Sequence, residues 1–148
     1  MLVRPDLSVE AEIDALGPAP KKRGSPERAA QVAIVAYFRY ALPAGSIVAA
    51  VKNEHQPRSR TKGGRMRFFA KRKAEGVVAG FWDLALLLDG PRTLLVEVKA
   101  PKTGRLSGAQ RLRHAEAKAL GYDTIVVRSV EEAELALRAL GVPLRARA

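Results

Sequence analysis

Residues 83 to 99, DLALLLDGPRTLLVEVK, constrain the fold most. Two runs of β-favouring residues, Asp83 to Leu88 and Thr93 to Lys99, flank Asp89-Gly90-Pro91-Arg92, whose turn-forming residues predict an antiparallel hairpin. Side chains alternate across a strand, so Leu94, Val96 and Val98 share one face while Leu95, Glu97 and Lys99 share the other. An acid and a lysine therefore lie on a face that also carries Leu95, and burying both is costly unless something compensates them. The loop length decides where Asp83 points. An odd loop, for example Asp89-Gly90-Pro91, sets Leu88 opposite Arg92 and Asp83 opposite Glu97; an even loop turns Asp83 to the other face, and sequence leaves both open. In the odd register two carboxylates meet with a lysine two residues on, a conflict that a hard divalent cation with oxygen ligands resolves.

The rest of the chain supplies elements to pack around this hairpin. Ser25-Pro26-Glu27 has the cap, the first-turn proline and the first-turn acid of a helix start, and that helix is expected to reach about Ala41 and stop before Pro43. Ser46 to Val51 reads as a short strand, 52–64 as a polar loop containing His55, Pro57 and Gly63-Gly64, and 65–75 as a basic helix ended by Gly76. Ser107 and Gln110 form the S-x-x-Q capping box of a helix running to Leu120, with Gly121 as its stop. Asp123 to Arg128 is a strand, and Val130 to Leu140 a closing helix. The order predicts an α/β fold, a mixed sheet flanked by helices. With 148 residues, one domain over 25–142 is expected, preceded by a tail at 1–24 in which an amphipathic piece (Leu7 to Leu16) is followed by GPAPKKRG.

Charge narrows the partner. Lys and Arg number 26 against 15 Asp and Glu, net +11, and the nine bases Lys52, Arg58, Arg60, Lys62, Arg65, Arg67, Lys71, Arg72 and Lys73 face Glu54 alone within 52–73, which is +8 of that total. A cluster of this density exceeds what solubility requires and points to contacts with a nucleic-acid backbone. Cysteine is absent, which removes disulfides, thiolate metal sites and cysteine nucleophiles together. His55 and His114 are too far apart for a local zinc motif. Lacking an apolar run of spanning length or a signal-peptide core, the chain is expected to be soluble and cytoplasmic.

Asp83, thirteen intervening residues and Glu97-Val98-Lys99 resemble the PD-(D/E)xK nuclease signature, with Trp82 where that pattern often has proline. Glu27 and Gln31, Asn53-Glu54, the run from Gly76 to Asp83, Leu106-Ser107 with Gln110, and Gly121-Tyr122 through Ser129 with Glu131-Glu132 extend the likeness. Together, over about residues 26–140, they resemble the VRR-NUC (virus-type replication-repair nuclease) family, in its short stand-alone form. The resemblance implies a restriction-endonuclease-like core (αβββαβ) and a metal-dependent DNA endonuclease acting on branched or structured sites, Holliday-junction resolvase-like and homodimeric. It implies that Asp83 and Glu97 hold Mg²⁺ or Mn²⁺ with the Val98 carbonyl, that Glu27 approaches directly or through a water, that Lys99 contacts the attacking water or phosphate, and that Gln110 orients the Lys99 region.

Each residue also has an ordinary structural use. Glu27 suits a helix N-terminus, Gln110 a capping box, Asp83 a strand start, and Glu97 with Lys99 an edge ion pair. Phe81 and Trp82 read as packing residues. Three functions follow for test: a structure-selective endonuclease, with flap or nick substrates as variants; a non-catalytic protein that binds branched DNA; and, with few aromatic residues for stacking, an RNA-directed nuclease last.

Overall fold

A computed structural model of the chain describes residues 25–52 and 57–146. The expected tail at 1–24 and the residues Asn53, Glu54 and His55 lie outside the described residues. Helix α1 (Pro26–Ala41) is capped by Ser25, whose hydroxyl accepts from the Arg28 amide at 3.2 Å, and it buries Ile34, Tyr37, Phe38 and Ala41. That spacing is one face of a helix. The chain turns extended at Leu42, as the residue before a proline favours.

Strands β1 (Ile47–Ala50), β2 (Leu84–Leu88), β3 (Arg92–Val98) and β4 (Asp123–Val127) form one sheet in that order. The first two pairings are antiparallel and β3–β4 is parallel, so the sheet is mixed. A parallel pair needs a crossover, and α3 (Gly108–Ala119) supplies it. Helix α4 (Val130–Ala139) follows β4, with the Ser129 hydroxyl accepting from the Glu132 amide at 3.2 Å. Leu84, Leu86, Leu94, Val96, Val98 and Val127 form the main core with Phe38 and Ile34 of α1 and Ala133 and Leu137 of α4. On the opposite face Leu95 packs with Trp82 and with Ala117 of α3. Both faces of β3 are thus covered, which explains why its last five residues are all buried.

One expectation is corrected. The polar loop expected over 52–64 ends earlier, so that the basic segment 52–73 is helical in its second half: helix α2 (Lys62–Ala74) starts three residues before the predicted position. The Thr61 hydroxyl accepts from the Gly64 amide at 3.1 Å, and this cap offsets the poor helix propensity of Gly63-Gly64. Gly76, at φ 89°, ends the turn that follows. Among the described residues α2 packs against no other helix or strand, and none of its residues is buried. No helix among the described residues is long and apolar enough to cross a membrane.

Candidate active site

The hairpin takes the odd register. Asp89, Gly90 and Pro91 form the loop, with Gly90 at φ 73° and its amide bonded to the Asp89 carboxylate, and Leu88 pairs with Arg92. Leu84 pairs with Val96, so the next step sets Asp83 against Glu97, on the face of Leu95. Asp83 ties three strands together there. Its backbone carbonyl accepts from the Val51 amide just past β1, and its carboxylate Oδ2 accepts from the Val98 amide, each at 2.8 Å. Within an extended strand a residue's N–H and C=O point to the same side, so the Val98 carbonyl also faces the Asp83 edge.

Glu97 is 1% exposed and Lys99 8% exposed. The Lys99 Nζ lies 2.8 Å from Glu97 Oε1, and the Gln110 side-chain amide donates to the same oxygen. Glu97 Oε2 is buried without a hydrogen-bond partner. Burial, then the Asp83 charge, pushes the Glu97 carboxyl up to about 8 against the pull of Lys99, and the more distant Glu27 adds to the rise. The ion-pair alternative on an exposed edge is therefore set aside by burial.

Gln110 serves two purposes at once. Its Oε1 accepts from the Ser107 amide at 2.9 Å and closes the capping box, which leaves Nε2 pointed at Glu97. The start of α3 is fixed in turn by the segment leading into Asp83. Gly80, at φ 71°, sits so close that a Cβ would meet the Ala109 carbonyl carbon at 2.6 Å and the Gln110 amide at 2.7 Å. Arg113 donates to the Ala79 carbonyl at 3.2 Å. On the other side, a Cβ at Gly104 would meet the Lys99 Cβ at 2.7 Å, so the turn 100–104 lies against the lysine stem. Sequence reasoning misses Gly80, Gly104 and Arg113; the glycines are visible in it, but what they approach is not. Trp82 packs, as expected, with its ring 5.2 Å from His114, whose Nδ1 lies 3.1 Å from the Thr124 hydroxyl. Burial and the nearby Lys99 charge lower the His114 pKa.

The carboxylates suit a hard cation in part. Asp83, Glu97 and the Val98 carbonyl offer only oxygen, and the partnerless Glu97 Oε2 is a buried acceptor of the kind such an ion satisfies. Among the described residues, however, no three Asp, Glu or His side chains lie together as a ready-made cluster. Glu27 is half-buried at the start of α1 and reaches Glu97 only as a charge at longer range. Of the nine basic residues, Lys52, Arg58 and Arg60 lie in the exposed connection, and Lys62, Arg65, Arg67, Lys71, Arg72 and Lys73 lie on α2. All but Arg72 are exposed.

By sequence the chain matches no protein-family model. It also matches no curated protein. A solved structure described as a VRR_NUC domain superposes with a TM-score of 0.53 at 18% sequence identity, covering 78% of this chain and 97% of that one. At that identity the likeness is one of fold, and the chain has the α/β, restriction-endonuclease-like fold of a VRR-NUC domain.

Proposed function

We propose that this protein is a metal-dependent DNA endonuclease, selective for branched or otherwise structured DNA and acting as a homodimer in the manner of a Holliday-junction resolvase. The observation that carries the reading is the juxtaposition of Asp83, Glu97, Lys99 and Gln110 on a nuclease-type fold, with Glu97 buried and one of its oxygens without a partner. Such an arrangement costs stability and is retained where chemistry needs it.

Asp83 and Glu97, with the Val98 carbonyl, would hold Mg²⁺ or Mn²⁺, and Glu27 would act through a water. A cation held there would supply polarisation of the scissile phosphate and a bound water of lowered pKa. Gln110 keeps Glu97 aimed, because its amide is itself held by the Ser107 cap. Lys99, engaged with Glu97 in the free protein, can turn its donors to the phosphate oxygens or the attacking water, where they stabilise the charge that develops. Two such sites related by a two-fold would make paired incisions across a junction.

The test is cleavage of linear duplex, flap, nicked and four-way-junction DNA by the purified protein in Mg²⁺, in Mn²⁺ and in EDTA. Junction cutting that requires a divalent cation is expected. Tight junction binding without cutting in either metal replaces the enzyme by a DNA-binding protein of the same fold. Preferred cutting of flaps or nicks keeps the chemistry and changes the substrate.

A further inference from the structure

Helix α2 is anomalous as a folded element. It carries six bases and no acid between Lys62 and Ala74, buries no residue and rests on no other helix or strand among the described residues. With Met66, Phe68 and Phe69 only partly buried, the helix draws little stability from packing, and like charges one turn apart, such as Arg67 and Lys71, oppose it further. An anionic surface would stabilise it.

The placement of the charges says which kind. At about 100° per residue, Lys62 and Lys73 share one side of the helix, Arg67 and Lys71 a second, and Arg65 and Arg72 a third. A helix built to lie on a flat anionic membrane gathers its bases on one face opposite an apolar one. Bases on opposing flanks instead match a groove with a row of phosphates along each wall. The major groove of duplex DNA, about 12 Å wide, admits a helix in that way.

The connection to the candidate site is short and anchored. The Val77 amide bonds back to the Arg72 carbonyl at 3.0 Å, and Gly80 and Arg113 pin the next residues onto α3. Asp83 follows nine residues after the end of α2, a reach of at most about 30 Å, which is within one turn of B-DNA.

We propose that α2 docks along the major groove of a duplex arm, within about one helical turn of the phosphate presented to Asp83 and Glu97. The proposal rests on the reading of DNA as substrate and names the part of the DNA that this helix grips. It is tested with the full-length protein in EDTA on a labelled 30-base-pair duplex and a four-way junction, by dimethyl sulfate footprinting and by anisotropy across a salt series. Guanine N7 atoms, which face the major groove, are expected to be protected over about one turn. Arg67→Ala with Lys71→Ala, and separately Arg65→Ala with Arg72→Ala, are expected to weaken that protection and to flatten the slope of log K against log salt by about 0.9 for each phosphate left without its cation. Circular dichroism keeps the test sound, since alanine favours helix and α2 supports no core.

Wild-type slope and footprint in both double variants overturn the proposal. So does tighter binding to phosphatidylserine vesicles or polyglutamate than to duplex at equal charge concentration. Protein that protects N7 but never cuts in Mg²⁺ or Mn²⁺ overturns the nuclease reading and leaves the docking intact. Protein that cuts junctions with N7 reactivity unchanged overturns the docking alone.

Discussion

Lys99 engages only one oxygen of the Glu97 carboxyl group: its Nζ lies 2.8 Å from Oε1, while Oε2 is buried with no partner. With the carboxyl held at about 8 by burial and by Asp83, the folded protein keeps a proton that the unfolded chain releases near its ordinary 4.5. Metal-free protein is therefore expected to lose stability as pH rises through that window, by up to about 1.4 kcal/mol per unit, and to level off above it. Urea unfolding in EDTA between pH 5 and pH 8 measures this. Glu97→Gln removes the titration, so its stability is expected to be flatter with pH and to exceed wild type at pH 8. An equal slope in the variant would assign the linkage to another group.

The same substitution separates metal chemistry from DNA contact. Glu97→Gln lacks a charged oxygen ligand for the cation, while the metal-free site, whose Glu97 carboxyl is held at about 8, gains no charge at neutral pH, so DNA binding in EDTA is expected to hold while cleavage falls to background. Lys99→Ala is expected to keep the cation and lose about two to three orders of magnitude in cleavage rate, with a slight loss of DNA affinity. Calorimetry with Mn²⁺ and single-turnover cleavage read the two effects apart. If Glu97→Gln cuts at the wild-type rate in Mg²⁺, the site is elsewhere.

With burial and Asp83 holding the Glu97 carboxyl at about 8, cation uptake at neutral pH is expected to displace a proton. Calorimetry of Mn²⁺ binding in two buffers of different ionisation heat is expected to show about one proton released at pH 7, and affinity is expected to rise with pH until about 8. No difference between buffers would place the cation away from Glu97.

Gly80 links the geometry of both carboxylates to α3. A side chain there is strained at φ 71° and collides with backbone atoms of Ala109 and Gln110, which have no flexible end to move aside. Gly80→Ala is expected to cost about 1–3 kcal/mol and to cut cleavage disproportionately, since a shift of about 1 Å at a reacting group costs on the order of a hundredfold. Gly63→Ala, in open space on α2, is the control. Equal effects from both would mean that the approach at Gly80 does not position the site.

How far the sequence reached is visible in these residues. Capping signals place α1 and α3, because Ser25 and Ser107 act within one turn. The partnership of Asp83 with Glu97 hung on one integer, the parity of the loop after Leu88, which a Pro91-containing turn allows either way. The start of α2 was misplaced because two glycines argue against a helix and only the Thr61 cap restores it. Gly80 and Arg113 escaped notice because their partners, Gln110 and Ala79, are about thirty residues away along the chain and meet only after folding.

Gln110 poses the last question, since the capping box alone would justify it. Ser107→Ala removes the hydroxyl that accepts from the Gln110 amide at 3.2 Å yet leaves the Gln110 side chain free to donate to Glu97. Gln110→Ala removes both the return bond to Ser107 and the donor on Glu97. If capping were the whole role, the two variants would lose similar stability, about 0.5–2 kcal/mol, and similar activity. A positioning role predicts a split: comparable stability losses, but cleavage reduced by an order of magnitude or more in Gln110→Ala and little changed in Ser107→Ala. It also predicts that Gln110→Ala alone alters the pH dependence of metal-free unfolding, because the Glu97 carboxyl has lost a donor. Matched rates and matched pH profiles in the two variants would return Gln110 to the helix cap.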